Sequence, residues 1–287
     1  MTKNILHTIQ ADMATFSKGQ KRIAQYILDN YDKAAFMTAA KLAQKAQVSE
    51  STMVRFAAEL GYEGYPQMQK ALQQMLRGRL TSIQRIQVSR DQMTDDILGS
   101  VMQRDMASIH TAIEEVDRQE FAKIVDMLLQ AKNIYLLGVR SSAYLAGYLH
   151  FYFHLIFPNV TLVQPSDTGG TFEQLVRIGE GDVLVGISFP RYSTLAVNAV
   201  EFAKSRGAQV IAITDSKMSP LYKAANASLL VRSDMISFVD SMATPLSLLN
   251  ALIVAVGQQK NEEVSGTFAE MERIWSAYSI FGKTEDE

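Results

Sequence analysis

The sequence predicts an all-α domain followed by an α/β domain, whose core is a parallel five-stranded sheet flanked by helices. Residues 1–130 carry apolar residues at the three- and four-residue spacing of helices, whereas short aliphatic runs begin at residue 133. The charge divides near the same place, because residues 1–90 hold 13 Lys and Arg against 6 Asp and Glu, while residues 91–287 hold 15 against 24. This asymmetry indicates that only the first lobe meets a polyanion, although uneven solvation of two surfaces would give the same pattern.

The predicted sheet consists of five aliphatic runs of strand length. Helical patterns separate them, and this β-α-β-α order is typical of a parallel sheet covered on both faces. The predicted strands are 133–137, 160–163, 182–187, 209–214 and 227–231, and the predicted helices between them are 143–157, 171–177, 194–206 and 221–225.

Composition excludes several classes of protein. The 287 residues include no cysteine, which rules out a disulfide framework, a thiolate metal site and a cysteine nucleophile. No apolar run approaches the roughly 18–20 residues that cross a bilayer, and the first ten residues, MTKNILHTIQ, lack the pattern of a signal peptide. We therefore expect a soluble cytoplasmic protein without a membrane partner.

A helix-turn-helix motif is predicted within the basic lobe. Residues 38–46 form one short amphipathic pattern, and residues 49–60 form a second one that Gly61 ends. A helix-turn-helix needs a small residue where the two helices touch, an apolar residue in the turn and a cap on the second helix. Ala43, Val48 and Ser49 meet these needs. An ordinary helical bundle with a solvated face is the alternative.

The second helix of this motif would enter the major groove of DNA with its first turns. Met53, Phe56, Ala57 and Leu60 fall at helical spacing and are expected to face the core. Hydroxyl groups on the other face can reach phosphates or base edges, and an arginine can bind phosphate or guanine. The candidate DNA-binding residues are Ser49, Glu50, Ser51, Thr52, Arg55 and, on the next helix, Lys70. The predicted partner is double-stranded operator DNA, bound by a dimer.

Two strand-to-helix turns, at residues 137–143 and 186–194, predict a pocket for a small anion. Ligands of open parallel sheets bind beyond the carboxyl ends of the strands, where helix N–H groups point outward. Both turns carry hydroxyl and guanidinium groups, and capping alone explains one or two serines but not two arginines. The candidate ligand-binding residues are Arg140, Ser141, Ser142, Ser188, Arg191, Ser193 and Thr194. The hydroxyls of residues 214–220 are assigned to turns and caps. The Gly pair at 169–170 could bring backbone N–H groups close to a ligand, but it equally fits a plain loop.

We expect no metal and no cofactor. His150 and His154 have the i, i+4 spacing of a metal-binding pair, but no nearby carboxylate or third histidine completes a site in the sequence. We interpret them as packing or interface residues.

The whole chain resembles RpiR/MurR-type bacterial transcriptional regulators, with a second lobe that is similar to a SIS (sugar isomerase) domain. The resemblance rests on Val48-Ser-Glu-Ser-Thr-Met-Val-Arg-Phe56, Leu60-Gly-Tyr62, Gly64-Tyr65, Gly207-Ala-Gln-Val-Ile-Ala-Ile-Thr214 and Ser219-Pro220, in that order. It implies a helix-turn-helix DNA-binding domain at 1–77, a helical linker at 78–115 and a SIS-like ligand-binding and oligomerisation domain at 116–287. A homodimer or homotetramer that senses a phosphosugar or related metabolite is expected.

The likeness also implies roles for single residues. Ser142, Ser188 and Ser193 fall on the family's phosphate-contacting positions, whereas Arg140 and Arg191 stand where the family usually has glycine. These arginines could strengthen phosphate binding, or fill part of the pocket and favour a smaller organic acid. A sugar-phosphate isomerase with an accessory helical domain is the alternative function, but no Glu or His in either turn supplies the base that isomerisation needs.

Overall fold

A computed structural model of the chain describes residues 5–76, 80–90, 95–164 and 167–280. It divides into two units, of which unit 1 comprises residues 1–101 and 235–240, and unit 2 comprises residues 102–234 and 241–287. Unit 1 is helical in its N-terminal part, and unit 2 contains a five-stranded parallel sheet. The predicted fold class is confirmed.

Unit 1 begins with short helices, three of which start at side-chain caps, at Ser17, Thr38 and Ser49. Ser17 and Gln20 form a capping box at the second helix, since each side chain accepts a hydrogen bond from the backbone N–H of the other. The elements in the described part of unit 1 are α1 (Ile5–Ala11), a 3₁₀ turn (Asp12–Ala14), α2 (Lys18–Asp29), α3 (Tyr31–Ala34), α4 (Ala39–Lys45), α5 (Glu50–Glu59), α6 (Tyr65–Leu76) and α7 (Ser82–Arg90).

One hydrophobic core holds these helices together. Met53, Phe56 and Ala57 of α5 are fully buried, as predicted, and Leu60 is half-buried. The ring of Phe56 packs edge-to-face on that of Phe16, with 5.2 Å between the centroids. Burying one such side chain contributes about 1.5–3 kcal/mol, so α5 is firmly anchored on the first helices.

Unit 2 has a sheet in which all neighbouring strands are parallel, in the order β2-β1-β3-β4-β5. Its strands are β1 (Ile134–Gly138), β2 (Val160–Val163), β3 (Val183–Ile187), β4 (Gln209–Thr214) and β5 (Ala227–Leu230). Its helices are α9 (Arg118–Leu129), α10 (Ser142–Ile156), α11 (Thr168–Gln174), α12 (Thr194–Ser205), α13 (Pro220–Ala224), α14 (Ala243–Gln259) and α15 (Asn261–Ala277), and α8 (Ile97–Glu115) continues into it from unit 1.

The two faces of the sheet have separate cores, because successive side chains of a strand point to opposite faces. Leu136 and Val185 belong to the cluster that packs against α9, α10 and α14. Their neighbours Leu137 and Leu184 belong to the cluster that packs against α11, α12 and α13. The helices that follow β1 and β3 therefore lie on opposite faces of the sheet.

The strand bounds agree with the prediction within one residue, but α11 does not. It was predicted at 171–177 and begins at Thr168 instead. The reason is a cap, because the Asp167 carboxylate accepts a hydrogen bond from the Gly170 N–H at 2.7 Å. The glycine pair at 169–170 thus lies inside the helix and not in a loop.

The predicted helical linker is described in part. Residues 77–79 and 91–94 lie outside the described residues, and helices α7 and α8 cover much of the rest. None of the described helices is both long and apolar enough to cross a lipid bilayer.

A short segment after β5, residues 235–240, belongs to unit 1. Met235 and Asp240 form an isolated antiparallel bridge, and the Ile236 N–H donates to the Val239 carbonyl at 3.0 Å. The Asp240 carboxylate makes an ion pair with the guanidinium of Arg85 on α7, whose side chain is only 3% exposed. The fold of unit 1 thus requires residues from the second half of the chain.

Candidate functional site

The helix-turn-helix motif is formed by α4 and α5. The Val48 N–H donates to the Ala43 carbonyl at 2.9 Å, and Gln47 adopts a left-handed conformation with φ of 54°. Ala43 is 2% exposed, so a small residue does lie where the two helices meet. The Ser49 hydroxyl accepts a hydrogen bond from the Thr52 N–H and starts α5 abruptly.

The predicted DNA-binding residues of α5 differ in their exposure to solvent. Glu50, Ser51 and Arg55 are exposed, and Arg55 folds back so that its Nε donates to the Ser51 carbonyl at 3.3 Å. Thr52 is half-buried, and the hydroxyl of Ser49 lies 2.9 Å from the Thr52 hydroxyl and 2.8 Å from that of Ser51. Ser49 and Thr52 therefore have structural roles in the start of the helix.

Glu50 is chemically less suited to contact phosphate, and Lys70 lies on another helix. A carboxylate in the first turn stabilises the helix dipole but repels phosphate. Lys70 is exposed on α6, which follows α5. Ser51 and Arg55 are thus the predicted residues of α5 whose chemistry suits contact with DNA.

The second candidate site lies where the sheet order reverses. Strand β1 pairs with β2 on one side and β3 on the other, with Gly138 and Ile187 as register partners at the ends of β1 and β3. The helices that follow these two strands, α10 and α12, cover opposite faces of the sheet. Such a switch point leaves a crevice at the carboxyl edge, where ligands of open α/β sheets bind.

The first turn of this switch point is unusually tight. A Cβ on Gly138 would lie 2.1 Å from the Ser142 carbonyl oxygen, so only glycine lets α10 begin this close to the end of β1. Ser142 is 5% exposed, and its hydroxyl makes no hydrogen bond with a described residue. A hydroxyl at a helix start that is not used in the fold is suited to donate to an anionic ligand.

The second turn carries the same chemistry on the neighbouring strand. Ser188 is 5% exposed, its N–H donates to the Ile213 carbonyl at 3.1 Å, and its hydroxyl makes no hydrogen bond within the described chain. Ser193 is half-buried and precedes α12 without a side-chain cap bond, and Thr194 is exposed at the first position of that helix. Two adjacent strands are therefore each followed by a serine whose hydroxyl makes no hydrogen bond with the described residues.

Both arginines of the predicted pocket adopt the left-handed backbone conformation. Arg140 has a φ of 58° and Arg191 a φ of 70°, and both are exposed, as is Ser141. A residue with a Cβ pays about 1–2 kcal/mol in this region, where glycine is unstrained. Glycine would be more stable at either position. We therefore attribute the presence of arginine to its guanidinium side chain and not to the backbone conformation.

A buried hydrogen-bond network, which the sequence did not predict, supports the second turn. The Tyr192 hydroxyl donates to the Asp215 carboxylate at 2.6 Å, and burial together with this carboxylate raises the pKa of Tyr192 above its ordinary value. The Thr214 hydroxyl donates to the Ser188 carbonyl at 2.7 Å, and Ser219 caps α13. Ser219 thus serves as a cap, as predicted, whereas Thr214 links its strand to the second turn.

Two known domain families match the chain. A helix-turn-helix domain of the rpiR family matches residues 3–78, and the SIS domain matches residues 127–255. The chain belongs to the RpiR family of transcriptional regulators. The resemblance stated from the sequence is confirmed.

Relatives of this RpiR-family protein are similar over most of their length. The transcriptional regulator HexR of Escherichia coli K12 is 29% identical over 252 residues, which cover 88% of this chain and 85% of the relative. HexR of Pseudomonas aeruginosa PAO1 is 27% identical over 261 residues, covering 88% and 89%. Both relatives are named as helix-turn-helix transcriptional regulators, in keeping with the rpiR-family helix-turn-helix domain of this chain.

Solved structures share the fold of this RpiR-family regulator. The Vibrio vulnificus NanR protein complexed with ManNAc-6P superposes with a TM-score of 0.60 at 24% identity, covering 97% of this chain and 100% of that one. The sugar isomerase domain of an RpiR transcription factor from Sphaerobacter thermophilus gives a TM-score of 0.57 at 20% identity, covering 61% and 97%. These matches establish the fold of both domains.

The histidine pair of this RpiR-family regulator lies along α10. The rings of His150 and His154 stack with centroids 5.6 Å apart, and burial lowers the pKa of His150. Among the described residues no group of three His, Cys, Asp or Glu could hold a metal ion. The two rings therefore pack on each other.

Proposed function

We propose that this RpiR-family regulator binds double-stranded operator DNA through α5, and that a small anionic metabolite at the β1/β3 switch point controls this binding. The observation that carries the proposal is the pairing of two strand ends that each combine a largely buried serine, whose hydroxyl makes no hydrogen bond with a described residue, with an arginine in the left-handed conformation. A metabolite can bias the DNA-binding state only if it binds two conformations with different affinities.

The chemistry of the pocket favours a phosphosugar as the effector. Ser142, Ser188 and Ser193 would donate hydrogen bonds to phosphate oxygens at the starts of α10 and α12. The complex of NanR with ManNAc-6P, a protein of the same fold, supports this choice. Arg140 and Arg191 would hold a second anionic or polar part of the ligand, because guanidinium groups bind carboxylate and phosphate bidentately. A small organic acid is the second candidate.

We further propose a homodimer or homotetramer that acts in the cytoplasm, where its DNA lies. Paired half-sites are the usual geometry for helix-turn-helix regulators, which therefore bind as dimers. A groove of about 590 Å³ between α8, α9 and α14 exposes Ile113 and Val254, and a second copy of the chain would cover these apolar side chains.

Replacing Arg191 by Ala is expected to abolish most of the thermal stabilisation by the effector. A charge-assisted hydrogen bond contributes about 1.5–3 kcal/mol, so the affinity should fall roughly 10- to 150-fold. The measurement is a thermal-shift screen of the full-length protein with ManNAc-6P, other sugar phosphates and small carboxylic acids, because a bound ligand stabilises the folded state.

Arg191→Gly is the matched control, because it removes the same guanidinium and also relieves the left-handed strain. Without ligand it should unfold at a higher temperature than Arg191→Ala, yet respond as weakly to the effector. If both variants keep the wild-type response, Arg191 is not part of the pocket.

Arg55→Ala is expected to weaken binding to the operator while leaving the effector response unchanged. Loss of a base contact should reduce affinity about 5- to 150-fold at each half-site, which corresponds to roughly 1–3 kcal/mol. The measurement is a gel shift at several salt concentrations, with duplexes that the wild-type protein selects from a random library. Arg273→Ala, an exposed arginine on α15, serves as the control. Retention of wild-type affinity would remove Arg55 from the DNA surface.

A further inference from the structure

A cluster of three cations on α2 lies outside the predicted DNA-binding residues. Lys18, Lys21 and Arg22 are all exposed, and with Met13 and Gln25 they line a shallow concavity of about 590 Å³. We call these three residues the basic face of α2. None of them makes an ion pair or a side-chain hydrogen bond with a described residue.

The basic face opposes the stability of its own helix. Lys18 is the first residue of α2 and Lys21 lies in its first turn, where the positive end of the helix dipole disfavours a cation. Lys18 and Arg22 are four residues apart, so their like charges also repel. A bound polyanion would reverse both effects, whereas nothing in the described part of the fold does so.

The helix that carries the basic face packs against α5. A Cβ on Gly19 would lie 3.2 Å from the Thr52 methyl group and 3.8 Å from Val48, so the first turns of α2 and α5 are in contact. The packing of Phe16 on Phe56 fixes this arrangement within unit 1. The three basic residues therefore lie on a helix that packs directly against the start of α5.

We propose that the basic face of α2 binds the phosphate backbone that flanks the groove occupied by α5. The inference rests on the proposed DNA-binding function and adds a contact that carries affinity without sequence information, because phosphate contacts position a protein on DNA while base contacts specify. Each phosphate that a cation neutralises also makes binding more dependent on salt.

The test compares two triple variants of the full-length protein that have the same net charge. One carries Lys18→Gln, Lys21→Gln and Arg22→Gln, and the control carries Lys33→Gln, Arg206→Gln and Lys223→Gln, three exposed cations outside α2 and α5. Binding is measured by fluorescence anisotropy between 50 and 200 mM salt. The probes are a random-sequence 30-bp duplex and a duplex selected by the wild-type protein.

The α2 triple variant should flatten the plot of log affinity against log salt by about 0.9 for each lost contact, or about 2.7 per protomer. When the salt concentration rises fourfold, from 50 to 200 mM, the wild-type protein should lose roughly 40-fold more affinity per protomer than the variant loses. Both probes should show the change, and the ratio of their affinities should stay the same. The unfolding temperature should not fall, because the substitutions remove repulsion.

A slope equal to that of the control variant would overturn the inference, with DNA binding itself intact. A wild-type protein that binds neither probe even at 50 mM salt would instead overturn the proposed DNA-binding function. Should the triple variant unfold early, the three single variants give the same measurement, with an expected change in slope of about 0.9 each.

Discussion

Asp240→Asn is expected to destabilise unit 1 by about 3 kcal/mol. The substitution leaves the guanidinium of Arg85 buried without its counterion, and breaking a buried ion pair from one side costs roughly 3–5 kcal/mol. The lower end applies because the Asp240 side chain is 21% exposed. Among the described residues Arg85 forms no second ion pair, since its other bond is a 3.5 Å contact to the Phe238 carbonyl and its Nε has no partner.

Circular dichroism during urea unfolding measures this loss, and hydrogen exchange of residues 82–90 localises it. The fluorescence of the single tryptophan, Trp275, would report on unit 2 instead. The double variant Arg85→Met/Asp240→Asn should regain much of the stability, because it leaves no buried charge unpaired. A loss below about 1 kcal/mol for Asp240→Asn would show that the pair contributes no more than a surface ion pair.

Gly138→Ala is expected to destabilise unit 2 and to abolish the effector response together. The added Cβ would lie 2.1 Å from the carbonyl oxygen and 2.5 Å from the carbonyl carbon of Ser142, so the backbone at the start of α10 must move. Overpacking of this kind costs about 1–3 kcal/mol, and the upper end applies because the clash is with backbone atoms. The displaced helix start would also move Ser142 away from the ligand.

Gly147→Ala supplies the control, since it lies within the same helix and a Cβ there meets nothing within 4 Å. It should stabilise the protein by about 0.5–1 kcal/mol, because alanine favours a helix interior over glycine. Thermal unfolding with and without effector distinguishes the two variants. Wild-type stability of Gly138→Ala would mean that the first turn relaxes freely, and the close approach would then have no part in the site.

The sequence predicted the sheet and the helix-turn-helix because both depend on local patterns. Aliphatic runs mark buried parallel strands, and caps such as Ser17 and Ser49 mark helix starts, so the elements appear without knowledge of contacts. The start of α11 was missed because a carboxylate cap outweighs the low helix propensity of two glycines. The domain boundaries at residues 77 and 115 stay a prediction.

The candidate sites were predicted only in part, because their geometry depends on distant residues. No pattern pairs Arg85 with Asp240, which are 155 positions apart, or Tyr192 with Asp215. The sequence alone does not reveal that the backbone of Arg191 is left-handed. Its position in a turn that usually carries glycine was, however, a signal of this conformation. The basic face of α2 was visible as charge, but the packing of α2 on α5 was not.

Because residues 235–240 belong to unit 1, the two units cannot be separated by dividing the chain at one position. A fragment that stops at residue 101 would lack the carboxylate that neutralises Arg85, and a sensor module transplanted from another regulator would have to bring its own counterpart of this hexapeptide. Gene fusion at a single junction therefore cannot separate the two lobes cleanly. Exchange of effector specificity during evolution is easier by changing side chains in the two turns than by swapping whole modules.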